Sequence, residues 1–299
     1  MKRILLTTTS LVLAAGVAQA DVSFSGKGEA GVYKDPSVAG QADEMEVYTG
    51  YDLNVAVSGA SDNGVTYAIG FDFGGGHTAD YNDDYALDGQ NNVSDDNPAV
   101  TIGYAGATIV FDKDGVDDLY DDGNHGDVKL SATLGGLSVA VVAETDTGEQ
   151  NVADADGVSR SSNSTSFSVS GATDALTWSV ASTDANPSDD AAQKVTVGYT
   201  VSDALGLTFK HDTKGAADAI NTITAVYTMG ALTLTAAADD NNDNDLTAAY
   251  TAGALSASFT VNEEDFWKMN GTYDLGNGAQ AFVSMDDSEW TAIGMSFAF

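Results

Sequence analysis

The sequence contains no cysteine, and only three of its 299 residues are proline. The absence of cysteine excludes a disulfide framework and any metal site built from thiolates. Lysine and arginine together number 11 against 45 acidic residues, so nucleic acid and anionic surfaces are excluded as partners by charge repulsion. No apolar run beyond residue 20 approaches the roughly 20 residues that a membrane-spanning helix needs.

The first twenty residues have the pattern of a secretory signal peptide. A positively charged start and an apolar stretch over residues 4–17 lead to Ala18-Gln19-Ala20, the small-x-small pattern that signal peptidase recognises. We expect cleavage after Ala20, which leaves residues 21–299 as one domain. Such an acidic domain repels itself unless salt screens its charges, so a soluble halophile-type protein is the alternative that composition alone leaves open.

Apolar and polar residues alternate along most of residues 21–299. Val128, Leu130, Ala132 and Leu134, for example, alternate with polar residues, and a period of two indicates a strand with one apolar face. An even number of such strands can close into a barrel, and closure is required in lipid because no water pairs a free edge there. The pattern predicts about 18 strands, over 22–34, 45–58, 65–74, 98–104, 107–111, 127–134, 137–145, 162–171, 175–183, 193–201, 205–212, 219–228, 231–238, 246–251, 254–262, 266–275, 279–285 and 289–299.

The connections between these segments alternate in length. Short turns such as 61–64 and 135–136 alternate with longer acidic loops such as 75–96 and 112–126. Short turns at one end and longer loops at the other are typical of an outer-membrane β-barrel. Aromatic residues near segment ends fit girdles at the two membrane interfaces: Tyr33, Tyr48, Phe71, Phe73, Tyr104, Phe111, Trp178, Tyr199, Phe209, Tyr227, Tyr250, Phe259, Trp267, Tyr273, Trp290 and Phe297.

Four stretches resemble one known family. They are residues 21–28, the hairpin 58–64, the run 273–276 and the terminal 294–299. In this order they resemble the general diffusion porins of Gram-negative bacteria, of the Rhodobacter type found in purple and marine alphaproteobacteria. The resemblance implies a homotrimer of barrels in the outer membrane, usually of 16 strands, with a third outer loop folded into the pore. Either two of the short segments are therefore not strands, or the chain is an 18-stranded relative. It also implies that the barrel-assembly machinery reads the terminal alternation of Met295, Phe297 and Phe299.

The strand lysines predict the character of the inner face. Each lysine alternates with the apolar residues of its strand, so its side chain points to the face opposite to theirs. A charge on the lipid face would cost about 2–4 kcal/mol, so the lysines are expected to face the lumen. They are Lys27, Lys129, Lys194, Lys210 and Lys268. The resemblance implies that acidic groups of the third loop oppose these lysines at a pore constriction; here they are Asp112, Asp114, Asp117, Asp118, Asp121 and Asp122. Because acids outnumber bases, we expect the pore to prefer cations.

The acidic loops also raise the hypothesis of bound calcium, which prefers oxygen ligands. Candidate ligands are Asp83, Asp84, Asp95 and Asp96, and a second cluster lies over residues 239–245. No EF-hand spacing, serine-hydrolase elbow, zinc-protease motif or phosphate loop is present in the sequence, so we predict neither a required cofactor nor an enzyme. The sequence therefore predicts passive diffusion of small hydrophilic solutes and ions. The alternative is a non-conducting structural or adhesive outer-membrane barrel with calcium-binding loops.

Overall fold

The computed structural model describes residues 20–37, 44–80, 85–90, 98–120, 125–145, 164–184, 191–213 and 219–299, apart from the side chain of Asp114. Among these residues there is no helix long and apolar enough to cross a membrane. Their strands are β1 (Asp21–Lys34), β2 (Glu46–Ala60), β3 (Thr66–Asp80), β4 (Ala86–Gly89), β5 (Ala99–Tyr104), β6 (Ala107–Asp117), β7 (His125–Leu134), β8 (Leu137–Ala143), β9 (Thr165–Ala172), β10 (Leu176–Thr183), β11 (Ala192–Ser202), β12 (Leu205–Asp212), β13 (Ile220–Met229), β14 (Leu232–Asp239), β15 (Asn244–Ala252), β16 (Leu255–Asn262), β17 (Trp267–Gly276), β18 (Ala279–Asp286) and β19 (Thr291–Ala298).

Eighteen of these strands form one closed antiparallel ring. Each pairs with its neighbours in chain order, and β1 closes the ring by pairing with β19 from Lys27↔Ala298 to Lys34↔Thr291. Two further backbone hydrogen bonds of 3.1 Å join Gly26 and Phe299 at the closure. The short strand β4 stands outside the ring order, because it pairs only with the outer end of β3. The closed ring leaves none of its strands with an unpaired edge, as lipid requires.

The prediction of a closed antiparallel barrel is confirmed, and each of the 18 predicted segments overlaps one ring strand. The count of 16 strands implied by the family resemblance is wrong. The reason is that the short segments 98–104 and 107–111 are both wall strands: β5 pairs with β3 over five residues and with β6 over five. The wall therefore contains one hairpin more than the resemblance implies.

The two ends of the barrel differ as predicted. At one end the strands are joined by tight turns, such as Gly135-Gly136 between β7 and β8, where φ angles of 60° and 89° favour glycine. At the other end the connections are longer, and most of the residues outside the described ranges fall in them. Residues 1–19 also lie outside the described ranges, so the signal peptide stays a prediction.

The two faces of the wall differ in chemistry. In β7, Leu130 and Leu134 are 52% and 62% exposed on the outer face, while Lys129 alternates to the other face. Met295, Phe297 and Phe299 are likewise outward and exposed. The buried apolar core lies inside the ring; its members are Tyr48, Ala79, Tyr85, Phe282, Trp290 and Ala292. A single-layered sheet thus turns its apolar side outward and encloses a small packed cluster.

Candidate functional site on the inner face of the barrel

The register places the five strand lysines on the face opposite to the exposed apolar side chains. Three of them stand directly across the ladder from an aspartate, in the pairs Lys27↔Asp52, Lys194↔Asp212 and Lys268↔Asp286. Lys129 stands instead between Val110 and Val142, and Lys210 between Thr196 and Thr222. An aspartate about 5 Å across the ladder lowers the local charge of the first three positions.

The third outer loop reaches across the inner face to distant strands. Lys194 Nζ donates to the carbonyl oxygen of Tyr120 at 2.6 Å and lies 4.7 Å from the centre of its ring. The Tyr120 hydroxyl donates to Asp212 Oδ1 at 2.5 Å, and the Leu119 N–H donates to Ser166 Oγ at 3.0 Å. These partners belong to β9, β11 and β12, so the described part of this loop lies against the inner wall of β9–β12.

The loop itself is shorter than residues 112–126, because β6 continues to Asp117 and β7 begins at His125. A bulge after Phe111 separates this extension from the regular ladder. Asp118 belongs to the loop; its carboxylate accepts bonds from the Tyr120 N–H at 2.8 Å and the Thr183 hydroxyl at 3.1 Å.

The remaining predicted acids of this region have different surroundings where the structure describes them. Asp117 forms an exposed contact of 3.7 Å with His125. Asp112 contacts Gly115 within the β6 extension. Asp121, Asp122 and the side chain of Asp114 lie outside the described residues, so a joint role for this set in a constriction stays a prediction.

A second inward element was not predicted from the sequence. We call it the inner hairpin, and it consists of residues 77–80 of β3 and residues 85–90, which include β4. The wall ladder between β2 and β3 ends at Gly50↔Gly76, and beyond this point β3 pairs only with β4. Gly76 has a φ of 78°, which turns the chain out of the wall. A side chain at Gly50 would collide with the backbone of His77, so the hairpin lies directly over the inner face of β2.

Glu29 holds the inner hairpin to the wall. Its side chain is fully buried, and Oε1 accepts the Ala79 N–H at 2.7 Å and the Tyr48 hydroxyl at 3.0 Å. Lys27 Nζ stands 2.9 Å from Oε2. A buried carboxylate is stable only when it is paired and hydrogen-bonded, and here a lysine, a tyrosine and a backbone amide share that task.

An aromatic cluster packs between the hairpin and the wall. Tyr85 and Trp290 meet edge to face with ring centres 5.7 Å apart, and Lys268 Nζ lies 5.2 Å from the centre of the Tyr85 ring. Tyr48 meets Tyr33 edge to face at 6.0 Å. The prediction that Tyr33, Tyr48 and Trp290 belong to membrane girdles is therefore wrong, because all three side chains point inward. Tyr48 and Trp290 are buried in the cluster, and Tyr33 packs against it. Other aromatics do face outward, such as Phe259 stacked on Trp267 at 6.2 Å.

Charged groups at the outer rim interact locally. The Lys34 ammonium donates to Glu289 Oε2 at 2.8 Å, and this hydrogen bond holds the pKa of the Glu289 carboxyl below its usual value. In the β14–β15 turn the charge of Asp239 raises the pKa of Asp243. The Asp239 carboxylate accepts the N–H groups of Asn241 and Asp243 at 2.9 and 3.0 Å, so it closes the turn.

No group of three or more His, Asp or Glu side chains in the described ranges is arranged to hold a metal ion. The calcium candidates Asp83, Asp84, Asp95 and Asp96 lie outside those ranges, so their binding of calcium stays a prediction.

The sequence matches no protein-family model and no curated protein. Solved structures do match the fold over almost the whole chain. A triple mutant of the Rhodopseudomonas blastica porin aligns with a TM-score of 0.54 at 14% identity, covering 93% of this chain and all of the other. OmpF of Salmonella typhi, in complex with daunomycin, aligns with a TM-score of 0.50 at 10% identity, covering 94% and 98%.

This chain has the fold of the general porins. At such low identities the likeness concerns the fold, and it agrees with the family resemblance of the sequence. The inner faces of these porin-fold strands carry the lysines, the aspartates and both inward loops described above.

Proposed function

We propose that the chain forms a water-filled channel of the bacterial outer membrane, through which small hydrophilic solutes and ions diffuse passively. One observation carries the proposal: a closed ring of 18 strands exposes apolar side chains on its outer face and lysines and aspartates on its inner face. Lipid solvates the first face, and only water can solvate the second. The porin structures that share the fold support the same function.

We further propose that the channel prefers cations. Two of the five inner lysines, Lys194 and Lys268, lie against loop tyrosines, and both also stand across the ladder from an aspartate. Their positive charge is therefore partly compensated within the wall. The whole chain contains 45 acidic residues, many of them in the long loops at one mouth, which concentrate cations there.

The proposal also includes the export, the oligomeric state and the assembly that the family resemblance implies. We infer export through the predicted signal peptide and assembly into a homotrimer. We infer that the barrel-assembly machinery binds the terminal row of Met295, Phe297 and Phe299, whose side chains are exposed on the outer face. Calcium at the acidic loops stays part of the proposal only as an accessory ligand.

Conductance in a planar bilayer tests the function. The wild type is expected to conduct, and its reversal potential in a dilute salt gradient should indicate preference for cations. That preference should weaken in concentrated salt, because the Debye length falls from about 8 Å at physiological salt to about 3 Å at 1 M. An anion-selective wild type would contradict the proposed preference, and a wild type that never conducts would contradict the channel itself.

Neutralising aspartates near the third loop sharpens this test. Replacing Asp112, Asp114, Asp117 and Asp118 by asparagine should lower the cation-to-anion permeability ratio by about twofold, if these charges act at the constriction as we propose. The matched control replaces four aspartates at or near the short-turn end, namely Asp62, Asp174, Asp203 and Asp274. An equal shift in both variants would indicate that selectivity is set by total charge and not by the third loop.

The second candidate function is a closed, non-conducting barrel of structural or adhesive type. It is favoured by the observation that two loops fold onto the inner wall and occupy part of the cross-section. The same bilayer measurement distinguishes the candidates, because a closed barrel would insert without steps of current.

A further inference from the structure

We propose that the inner hairpin is a second constriction element, which narrows the channel from the side opposite to the third loop and sets the size limit for solutes. The inference rests on the proposed channel function and deepens it. The hairpin is attached by Glu29 and by the cluster around Tyr85, and neither attachment depends on the third loop.

The position of the hairpin follows from its contacts. Its described residues touch inner-face groups of β1, β2, β17, β18 and β19, and it leaves the wall from β3. These six strands are consecutive in the ring. The third loop contacts inner groups of β9, β10, β11 and β12. Four ring strands separate the two sets on either side, β5–β8 and β13–β16, so the two loops face each other across the barrel.

The two loops are held by similar chemistry. In each, a tyrosine ring lies under the ammonium group of a wall lysine: Tyr120 under Lys194 and Tyr85 under Lys268. Each lysine stands across the ladder from an aspartate, Asp212 or Asp286, and both aspartates are buried. A cation over an aromatic face is strengthened when water is excluded, so each pair fixes its loop at a defined place on the wall.

The hairpin cannot lie elsewhere without exposing its cluster. Tyr48, Phe282 and Trp290 point inward and are between 2% and 4% exposed. Without the hairpin these side chains would face the water of the channel, which is unfavourable for large aromatic surfaces. Burial of these side chains therefore favours a hairpin that lies against the inner wall. On this side of the barrel the hairpin then sets the width of the channel.

The first test loosens the hairpin. In the double variant Glu29→Ala/Tyr85→Ala, the carboxylate that binds Ala79 and the ring that packs on Trp290 are both lost. Its single-channel conductance is expected to rise roughly twofold, and vesicles containing it should admit larger sugars in a swelling assay. Heat-modifiable gel migration confirms that the barrel is folded. The matched control is Tyr250→Ala/Glu263→Ala, which removes an outward tyrosine and a rim carboxylate and should leave conductance unchanged.

A second variant leaves both attachments of the hairpin in place. Its result therefore does not depend on how stably the hairpin is bound to the wall. Along β4, Leu87 packs against the cluster, so its neighbour Ala86 points to the opposite side. Ala86→Trp adds bulk on that side and should reduce conductance and the sugar size limit. Ala248→Trp, on the outer face of β15, is its control. The inference is overturned if both the folded double variant and Ala86→Trp conduct as the wild type does.

Failure of the channel proposal gives a different result. A wild type that is closed but opens in the double variant would contradict free diffusion while supporting the hairpin as the narrowing element. A wild type and a folded double variant that both remain closed would overturn the two proposals together.

Discussion

Two sectors of the same wall differ in what their inner faces carry. In the hairpin sector, β17–β19 with β1–β3, the inner positions include Tyr48, Phe282 and the adjacent Trp290, all buried. In the threonine sector, β13–β16, inner positions such as Thr224, Thr235 and Thr247 remain at least partly exposed. The strands of both sectors alternate with a period of two, and in both sectors the outward side chains are mostly apolar. The size of the inward side chain, and not the strand pattern, therefore distinguishes a covered wall from a wetted one.

The largest expected difference in the free energy of unfolding is between two variants, each of which introduces one aspartate on the inner face of one sector. Ala292 is 0% exposed inside the aromatic cluster, whereas Ala237 faces inward from the threonine sector. Ala292→Asp buries a charge without a partner and should lower the free energy of unfolding by roughly 3–5 kcal/mol. Ala237→Asp faces water but stands across the ladder from Asp245, so a loss of at most about 1 kcal/mol is expected from the like charge. Urea unfolding followed by gel migration measures both, and equal losses would show that the two sectors are equally dry.

The next effect compares the two loop tyrosines. Tyr120→Phe removes a hydrogen bond to the buried carboxylate of Asp212 and should lower the free energy of unfolding by about 1.5–3 kcal/mol. Tyr85→Phe removes a hydroxyl whose polar neighbours, the side chains of Asn270 and Ser284, are neutral, so about 0.5–1.5 kcal/mol is expected. The same urea titration, with open-channel noise as a second readout, compares them. A larger loss in Tyr85→Phe would indicate that the hydroxyl of Tyr85, and not its ring, fixes the hairpin.

The sequence predicts the wall well because the wall obeys a local rule. Each strand must present apolar residues to lipid at every second position, and this period is visible in segments as short as 107–111. The turns are equally local, since Gly135-Gly136 can adopt the positive φ angles that a tight hairpin requires. The strand number of 18 follows from these rules alone. The resemblance to a family of 16-stranded proteins pointed to the smaller number.

The inner hairpin could not be predicted in the same way, because it depends on contacts between residues far apart in the sequence. Ala79 meets Glu29 across 50 residues, and no period marks that contact. One signal was nevertheless present. The parity rule that places Lys27 inside the barrel also places Tyr48 inside, and an inward tyrosine in a water-filled lumen indicates that something covers it. The candidate acids of the third loop were harder to place, because β6 extends to Asp117 and the loop begins only at Asp118. The predicted set is therefore divided between a strand and a loop.

The smallest expected effect compares two rim carboxylates, one beside each sector, whose pKa values are shifted in opposite directions. In the folded state the pKa of Glu289 lies below its usual 4.5, because Lys34 donates a hydrogen bond to it. Its contribution to stability is therefore present above pH 4.5 and is lost as the pH falls through the lowered folded value. Glu289→Gln should accordingly lower the melting temperature at pH 7.

Asp243 provides the opposite case, because the neighbouring charge of Asp239 raises its folded pKa above the usual 3.8. The folded state then loses stability as the pH rises from 3.8 through the raised value, and the full loss is present at pH 7. Asp243→Asn should therefore raise the melting temperature at pH 7. Both differences should fade as the pH falls and the two carboxyls become protonated, and they should shrink in 1 M salt, because protonation removes the charges and salt screens them. Shifts of the same sign at pH 7, or shifts that persist in acid, would show that these substitutions act through loop packing and not through charge.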